Sequence, residues 1–85
     1  MWVVYIIKCN NREWYYIGST NDIERRLYEH NAGCVRSTKA YRPLRIVYTK
    51  EFDSEASARQ YEHMLKHKRI EKEKIIRSLV YCPVV

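Results

Sequence analysis

The 85 residues include only two glycines, two prolines and three cysteines, and each shortage removes a class of explanation. So little Gly and Pro leaves no room for a long flexible linker, and no internal repeat or low-complexity segment occurs. Cys9, Cys34 and Cys82 are odd in number, widely spaced and free of any C-x-x-C pair. That speaks against a disulfide scaffold or a zinc knuckle and fits a reducing cytoplasm. No cationic start leads into a long apolar run, so neither a signal peptide nor a membrane span is expected. The ending Cys82-Pro83-Val84-Val85 has the form of a prenylation box, but an apolar tail packed on the domain is the simpler reading. H-E-x-x-H, P-loop and nucleophile-elbow motifs are all missing. Acidic residues are in deficit: 10 Asp and Glu against 16 Lys and Arg give a net charge of +6. A polyanionic partner follows, nucleic acid before membrane.

What remains is an ordinary globular composition, 46% hydrophobic and 31% charged, sized for one domain over residues 1–85. Eight tyrosines stand among the basic residues, and their faces can stack on bases. Val3 to Cys9 is apolar on both faces and reads as a central strand. Asn10 to Glu13 is a polar turn, and Trp14 to Gly18 returns as the second strand of a hairpin. Gly18 is expected to end that strand, either for a bend or for a close backbone approach. Thr20, Asn21 and Asp22 are each able to cap the helix that follows, from about Asp22 to Asn31. On that helix Ile23 and Leu27 define the buried direction, with Arg26 and His30 on the same side and Arg25 facing solvent. Gly33 falls where a helix stop is expected.

Cys34 to Pro43 reads as a loop carrying Arg36, Lys39 and Arg42, residue types that contact phosphates but also populate any solvated basic loop. Leu44 to Glu51 is a third strand, with Leu44, Ile46 and Tyr48 alternating against Arg45, Val47 and Thr49. Phe52, Asp53 and Ser54 supply a staple and cap for a helix running to about Lys68, with an apolar stripe of Ala58, Tyr61 and Leu65. Glu62 interrupts that stripe at its flank, and Lys66 lies one turn further along. Glu is seldom buried without a partner, so either a salt bridge or a site is indicated. A last helix, about Glu71 to Leu79, buries Ile75, Ile76 and Leu79. His63 and His67 share a helical face without an evident third metal ligand, and Lys66 to Arg69 is a basic run of the kind that is usually solvated.

These residues resemble the GIY-YIG nuclease domain, over essentially the whole chain. The second family motif is intact as Tyr16-Ile17-Gly18, whereas the first keeps only its tyrosine in Val3-Val4-Tyr5. Tyr5 stands eleven residues before Tyr16, and Arg26 and His30 stand ten and fourteen after it, where the family places its helix arginine and histidine. The family's metal-binding glutamate fits Glu62. Two departures are Val3 in place of the first motif glycine and the absence of any asparagine after Asn31.

The resemblance, closest to small stand-alone bacterial members, implies an α+β fold: a three-stranded antiparallel sheet in order 2-1-3 flanked by three helices. It implies metal-dependent cleavage of DNA, with RNA as a secondary possibility, and a setting such as DNA repair. Tyr5, Tyr16, Arg26, His30 and Glu62 are then the catalytic set, with one Mg²⁺ or Mn²⁺ on Glu62. Arg36, Lys39, Arg42 and Lys66 become candidates for nucleic-acid binding. Arg26 offers a planar fork to phosphate, and Tyr5 is a candidate base for water if His30 or metal-bound water takes its proton. Tyr16 orients the water or the phosphate. Without the resemblance, both tyrosines read as strand aromatics packing the sheet. The competing function is a nucleic-acid-binding module on the same fold, with little or no catalysis. Specificity is left to DNA structure, to a partner protein, or to a homodimer formed through the apolar tail.

Overall fold

The computed structural model describes residues 1–81, with side chains through residue 78. Strand β1 spans Trp2–Cys9 and β2 spans Tyr15–Thr20. Helix α1, Ile23–Asn31, leads through a 3-10 turn at Lys39–Tyr41 to strand β3, Leu44–Phe52. Helices α2, Glu55–His67, and α3, Arg69–Tyr81, complete the described chain. The three strands form one antiparallel sheet in the order β2-β1-β3, so β1 is central as its two apolar faces require.

Those faces feed two separate cores. Val4 and Ile6 of β1, with Ile17 of β2, meet Ala58 and Leu65 of α2, and Tyr15, Val47, Tyr48, Phe52, Tyr61 and Ile75 pack around them. Tyr5, Ile7 and Cys9 point the other way, toward Leu44, Ile23 and Leu27, so α1 covers that face. The two helices that carry the candidate residues therefore flank the sheet from opposite sides.

Four expectations need correction. Strand β2 does not end at Gly18: Ser19 and Thr20 still pair with Val4 and Val3. What Gly18 provides is the close approach, since it lies opposite Tyr5 and a Cβ there would stand 2.5 Å from the Tyr5 hydroxyl. The alternation in β3 breaks because the β1 register skips between Ile6↔Tyr48 and Ile7↔Ile46. The extra residue, Val47, is a β-bulge, so Val47 and Tyr48 both join the α2 core while Ile46 stays with Leu44 on the α1 side. Ile75 and Ile76 are half-buried, not buried, and α3 begins two residues earlier than expected. Phe52 belongs to β3 and packs against Tyr61, ring centroids 5.2 Å apart, while Ser54 alone caps α2 by accepting from Ser57 N. The expectations for Leu79 burial and for the tail Cys82 to Val85 lie outside the described residues.

The ends of α1 are closely specified. Asp22 caps its N-terminus by accepting from Arg25 N. At its C-terminus Cys34 N donates to Glu29 O and Gly33 N to His30 O, a double-bonded stop that requires the positive φ of Gly33, +84°. Asn31 then clamps the helix end to β3, accepting from Leu44 N and donating to Leu44 O. These bonds fix the axial position of α1 against the sheet, and hence where Arg26 and His30 fall.

Candidate active site

Tyr5 is where the α1 face of the sheet becomes polar. Its ring is 1% exposed, wedged against Gly18 on the neighbouring strand, and its hydroxyl lies 2.9 Å from His30 Nε2. His30 is the one fully buried residue of α1, more so than Ile23 or Leu27, which periodicity expects to be buried and which are half-exposed. The other ring nitrogen, Nδ1, lies 2.7 Å from Thr38 Oγ1. Burial, reinforced by the nearby Arg26 charge, pushes the His30 pKa below its ordinary value, so the ring is neutral at pH 7.

Burial likewise pushes the Tyr5 hydroxyl up to about 12, against the pull of Arg26 and with the help of the charges at Tyr16 and Glu62. Arg26 is half-buried beside that hydroxyl; its firm hydrogen bond goes to Glu29 Oε1, 3.1 Å away, and its contact with Tyr5 holds its own proton more tightly. Arg25 is exposed, as the helix phase requires. Tyr16 shares this face, opposite Ile7, with its ring edge-on to His30 at 5.2 Å. Trp14 stacks on Tyr41 with centroids 3.8 Å apart and lies 6.4 Å from Tyr16, so an aromatic row extends from the tyrosine to the basic loop.

Glu62 comes from the other side. Helix α2 packs on the Val4 face, and Ser19, opposite Val4, lies at that face on the edge strand. Glu62 Oε1 accepts from the Ser19 hydroxyl and Oε2 from Lys66 Nζ at 2.7 Å. The carboxylate reaches the β2 edge from the α2 side and does not share the face of Tyr5, Tyr16, Arg26 and His30. One contact links the two faces: the Lys66 ammonium, paired with Glu62, stands 5.8 Å from the Tyr16 ring centroid. A cleft of about 200 Å³ opens here, lined by Arg59, Glu62, His63 and Lys66. The His63 and His67 rings lie 4.0 Å apart, but no group of three or more His, Cys, Asp or Glu able to hold a metal occurs among the described residues.

In the loop, Arg36 and Lys39 are exposed and make no salt bridge among the described residues. Arg42 folds back, donating to Lys39 O and lying over Gly33, so part of its role is to close the loop. Sequence reasoning missed Ser19, which sits among residues that cap α1, and Thr38, hidden in a run of basic and hydroxylated residues. The buried His30 was the signal for Thr38, because a second ring nitrogen buried in the core demands a partner.

Residues 1–74 match the family model described as the GIY-YIG catalytic domain. The chain belongs to that family, whose members include nucleases. A UPF0213 protein of Natronomonas pharaonis is 39% identical over 75 residues, covering 86% of this chain and 87% of its own length. A second, from Halobacterium salinarum, is 39% identical over 72 residues, covering 82% of this chain and 92% of its own. The solution NMR structure of a UPF0213 protein from Bacillus halodurans is similar with a TM-score of 0.55 and 34% identity, covering 91% of this chain and 84% of that one. Small stand-alone bacterial and archaeal proteins are thus its relatives. No helix among the described residues is long and apolar enough to cross a membrane.

Proposed function

We propose that this chain is a metal-dependent endonuclease that hydrolyses DNA phosphodiester bonds. The observation that supports this reading most is the Tyr5–His30 hydrogen bond with the Arg26 guanidinium beside it, a proton acceptor next to a phosphate fork. A Tyr5 pKa of about 12 excludes a standing phenolate at pH 7. Tyr5 therefore acts by relay, giving its proton to neutral His30 as it takes one from the attacking water. Because Tyr5 is 1% exposed, the scissile phosphate reaches it by drawing Arg26 off the hydroxyl and onto its own oxygens. Tyr16, at the same face, orients the water or a phosphate oxygen. Arg36 and Lys39 contact flanking phosphates, and Arg42 and Lys66 do so where they leave their present partners.

The donor set around Glu62 fits one hard divalent ion. A single carboxylate beside a serine hydroxyl cannot cage zinc, but Mg²⁺ takes few protein ligands and keeps its waters. The Lys66 ammonium sits on Oε2, so an incoming ion would have to displace it. A bound Mg²⁺ or Mn²⁺ would supply polarisation of a phosphate oxygen and stabilisation of the leaving 3′ alkoxide.

Three observations favour a nucleic-acid-binding module instead: Glu62 comes from the opposite side of the sheet to Arg26, Lys66 neutralises it, and Tyr5 is covered. Incubation of the protein with a panel of DNA and RNA forms, with Mg²⁺ or Mn²⁺ and a Glu62→Ala control, decides between them. The nuclease reading expects metal-dependent nicking of DNA by the wild type only. Tight binding without cutting of any form by any divalent ion transfers the assignment to the binding module.

A further inference from the structure

Thr38 lies in the basic loop between α1 and β3, yet it is fully buried. A polar side chain at that depth must be hydrogen-bonded, and its hydroxyl has two neighbours: His30 Nδ1 at 2.7 Å and Val35 O at 3.4 Å. The direction is set from the other end of the ring: the buried Tyr5 hydroxyl has His30 Nε2 as its one hydrogen-bond acceptor among the described residues. Its proton therefore goes to Nε2, Nδ1 donates to Thr38 Oγ1, and the Thr38 proton is left to Val35 O, a carbonyl that Thr38 N and Lys39 N already bond. Nδ1 is then the protonated nitrogen of the neutral imidazole. Nε2, 2.9 Å from the Tyr5 hydroxyl, is left with the free lone pair.

We infer that Thr38 is a positioning residue that holds His30 in the Nδ1–H tautomer, so that Nε2 is the acceptor for the Tyr5 proton. The inference rests on the reading of Tyr5 as the base. Water gives a proton to Tyr5 Oη while the Tyr5 proton moves to Nε2, and the imidazolium so formed keeps its Nδ1–H on Thr38. The water oxygen forms the new bond to phosphorus, and the 3′ oxygen leaves with its bonding pair and takes a proton from solvent. In the opposite tautomer Nε2–H would point at the Tyr5 oxygen, and the Tyr5 proton would have no acceptor. Tyr16 approaches His30 only ring to ring, so among the described residues Tyr5 and Thr38 are the two side chains hydrogen-bonded to the imidazole.

Long-range ¹H–¹⁵N NMR of His30 tests this on the wild-type protein and needs no activity. A protonated Nδ1 is expected. Thr38→Val removes the hydroxyl and keeps the branched shape. It should lose the Nδ1–H signature and lower kcat by about 10- to 100-fold with KM for DNA unchanged. Thr38→Ser should restore both. Protonation of wild-type His30 at Nε2 overturns the inference, as does a folded Thr38→Val protein that keeps Nδ1–H and its kcat. If Thr38→Val does not fold, the wild-type tautomer and its retention in Thr38→Ser decide the matter. A wild type that cuts nothing but shows Nδ1–H overturns the nuclease reading and leaves the positioning role standing.

Discussion

Replacing Gly18 with alanine should destabilise this protein, although alanine is ordinarily the better strand residue. In open space the exchange gains about 0.5–1 kcal/mol, because glycine loses more backbone freedom on folding. Here the added methyl would meet Tyr5 Oη at 2.5 Å and Cζ at 2.6 Å. Tyr5 cannot retreat, since it belongs to the central strand and is 1% exposed. Overpacking of this kind costs about 1–3 kcal/mol. Displacing the ring also breaks the bond to His30, and a buried partner left unbonded costs about 1–3 kcal/mol more. The net loss is about 1–5 kcal/mol, centred on about 3, a large share of the roughly 4–13 kcal/mol expected for a chain of this size. Urea unfolding followed by circular dichroism should show it, together with a fall in Tm of roughly 10–25 °C. In a Tyr5→Phe background the 2.5 Å contact disappears while the Cζ contact remains, so Gly18→Ala should cost less there without becoming neutral. A Gly18→Ala protein as stable as wild type would refute the reasoning.

Arg26→Ala should abolish cleavage and leave the fold intact, because its pair with Glu29 is a third exposed and worth less than about 1 kcal/mol. Arg25→Ala should be mild in both respects, and equal loss of plasmid nicking from both would show general basicity at work. Glu62→Ala should end metal-dependent cutting while filter binding of DNA holds or tightens. Its stability cost should reach about 1–2 kcal/mol, since the Ser19 and Lys66 bonds are lost with the carboxylate. For pH, the folded-state pKa of His30 lies below its unfolded value near 6.5, so the unfolded chain binds more protons as the pH falls. The stability contributed by neutral His30 is thus full above about pH 6.5 and is lost as the pH drops through the folded pKa. Urea titrations of wild type and His30→Gln across pH 4–8 should show a shallower slope in the variant.

The helices and the hairpin were legible because their signals are local. The phase that sends Arg25 to solvent and Arg26 inward follows from two apolar residues, and the Asp22 cap from its place before them. The central position of β1 followed from having no polar face. The bulge at Val47 was not legible, since nothing in Leu44 to Phe52 marks where the partner strand skips a residue. The extent of β2 was misjudged for a related reason: Gly18 serves a tyrosine on another strand, and sequence alone cannot say which contact a glycine was chosen for. Helix phase singled out Arg26 and His30, the roles of Tyr5 and Tyr16 came through the family resemblance, and the contacts among the four are tertiary. Glu62 was legible as an oddity in a helix stripe, but its bond to Ser19 spans the sheet edge. Thr38 carried no local mark at all.

The run from Tyr5 through His30 to Thr38 joins residues 25 and 8 positions apart, drawn from a strand, a helix and a loop. None of these segments brings its neighbour along by local structure. A newly made chain with its helices formed but its interior still loose has all the reactive groups and none of the arrangement. On the nuclease reading, such a chain would be harmless to any nucleic acid it meets, and competence would arrive only when the interior locks. During refolding, recovery of cutting should therefore lag the far-ultraviolet signal and coincide with the exclusion of water from around His30.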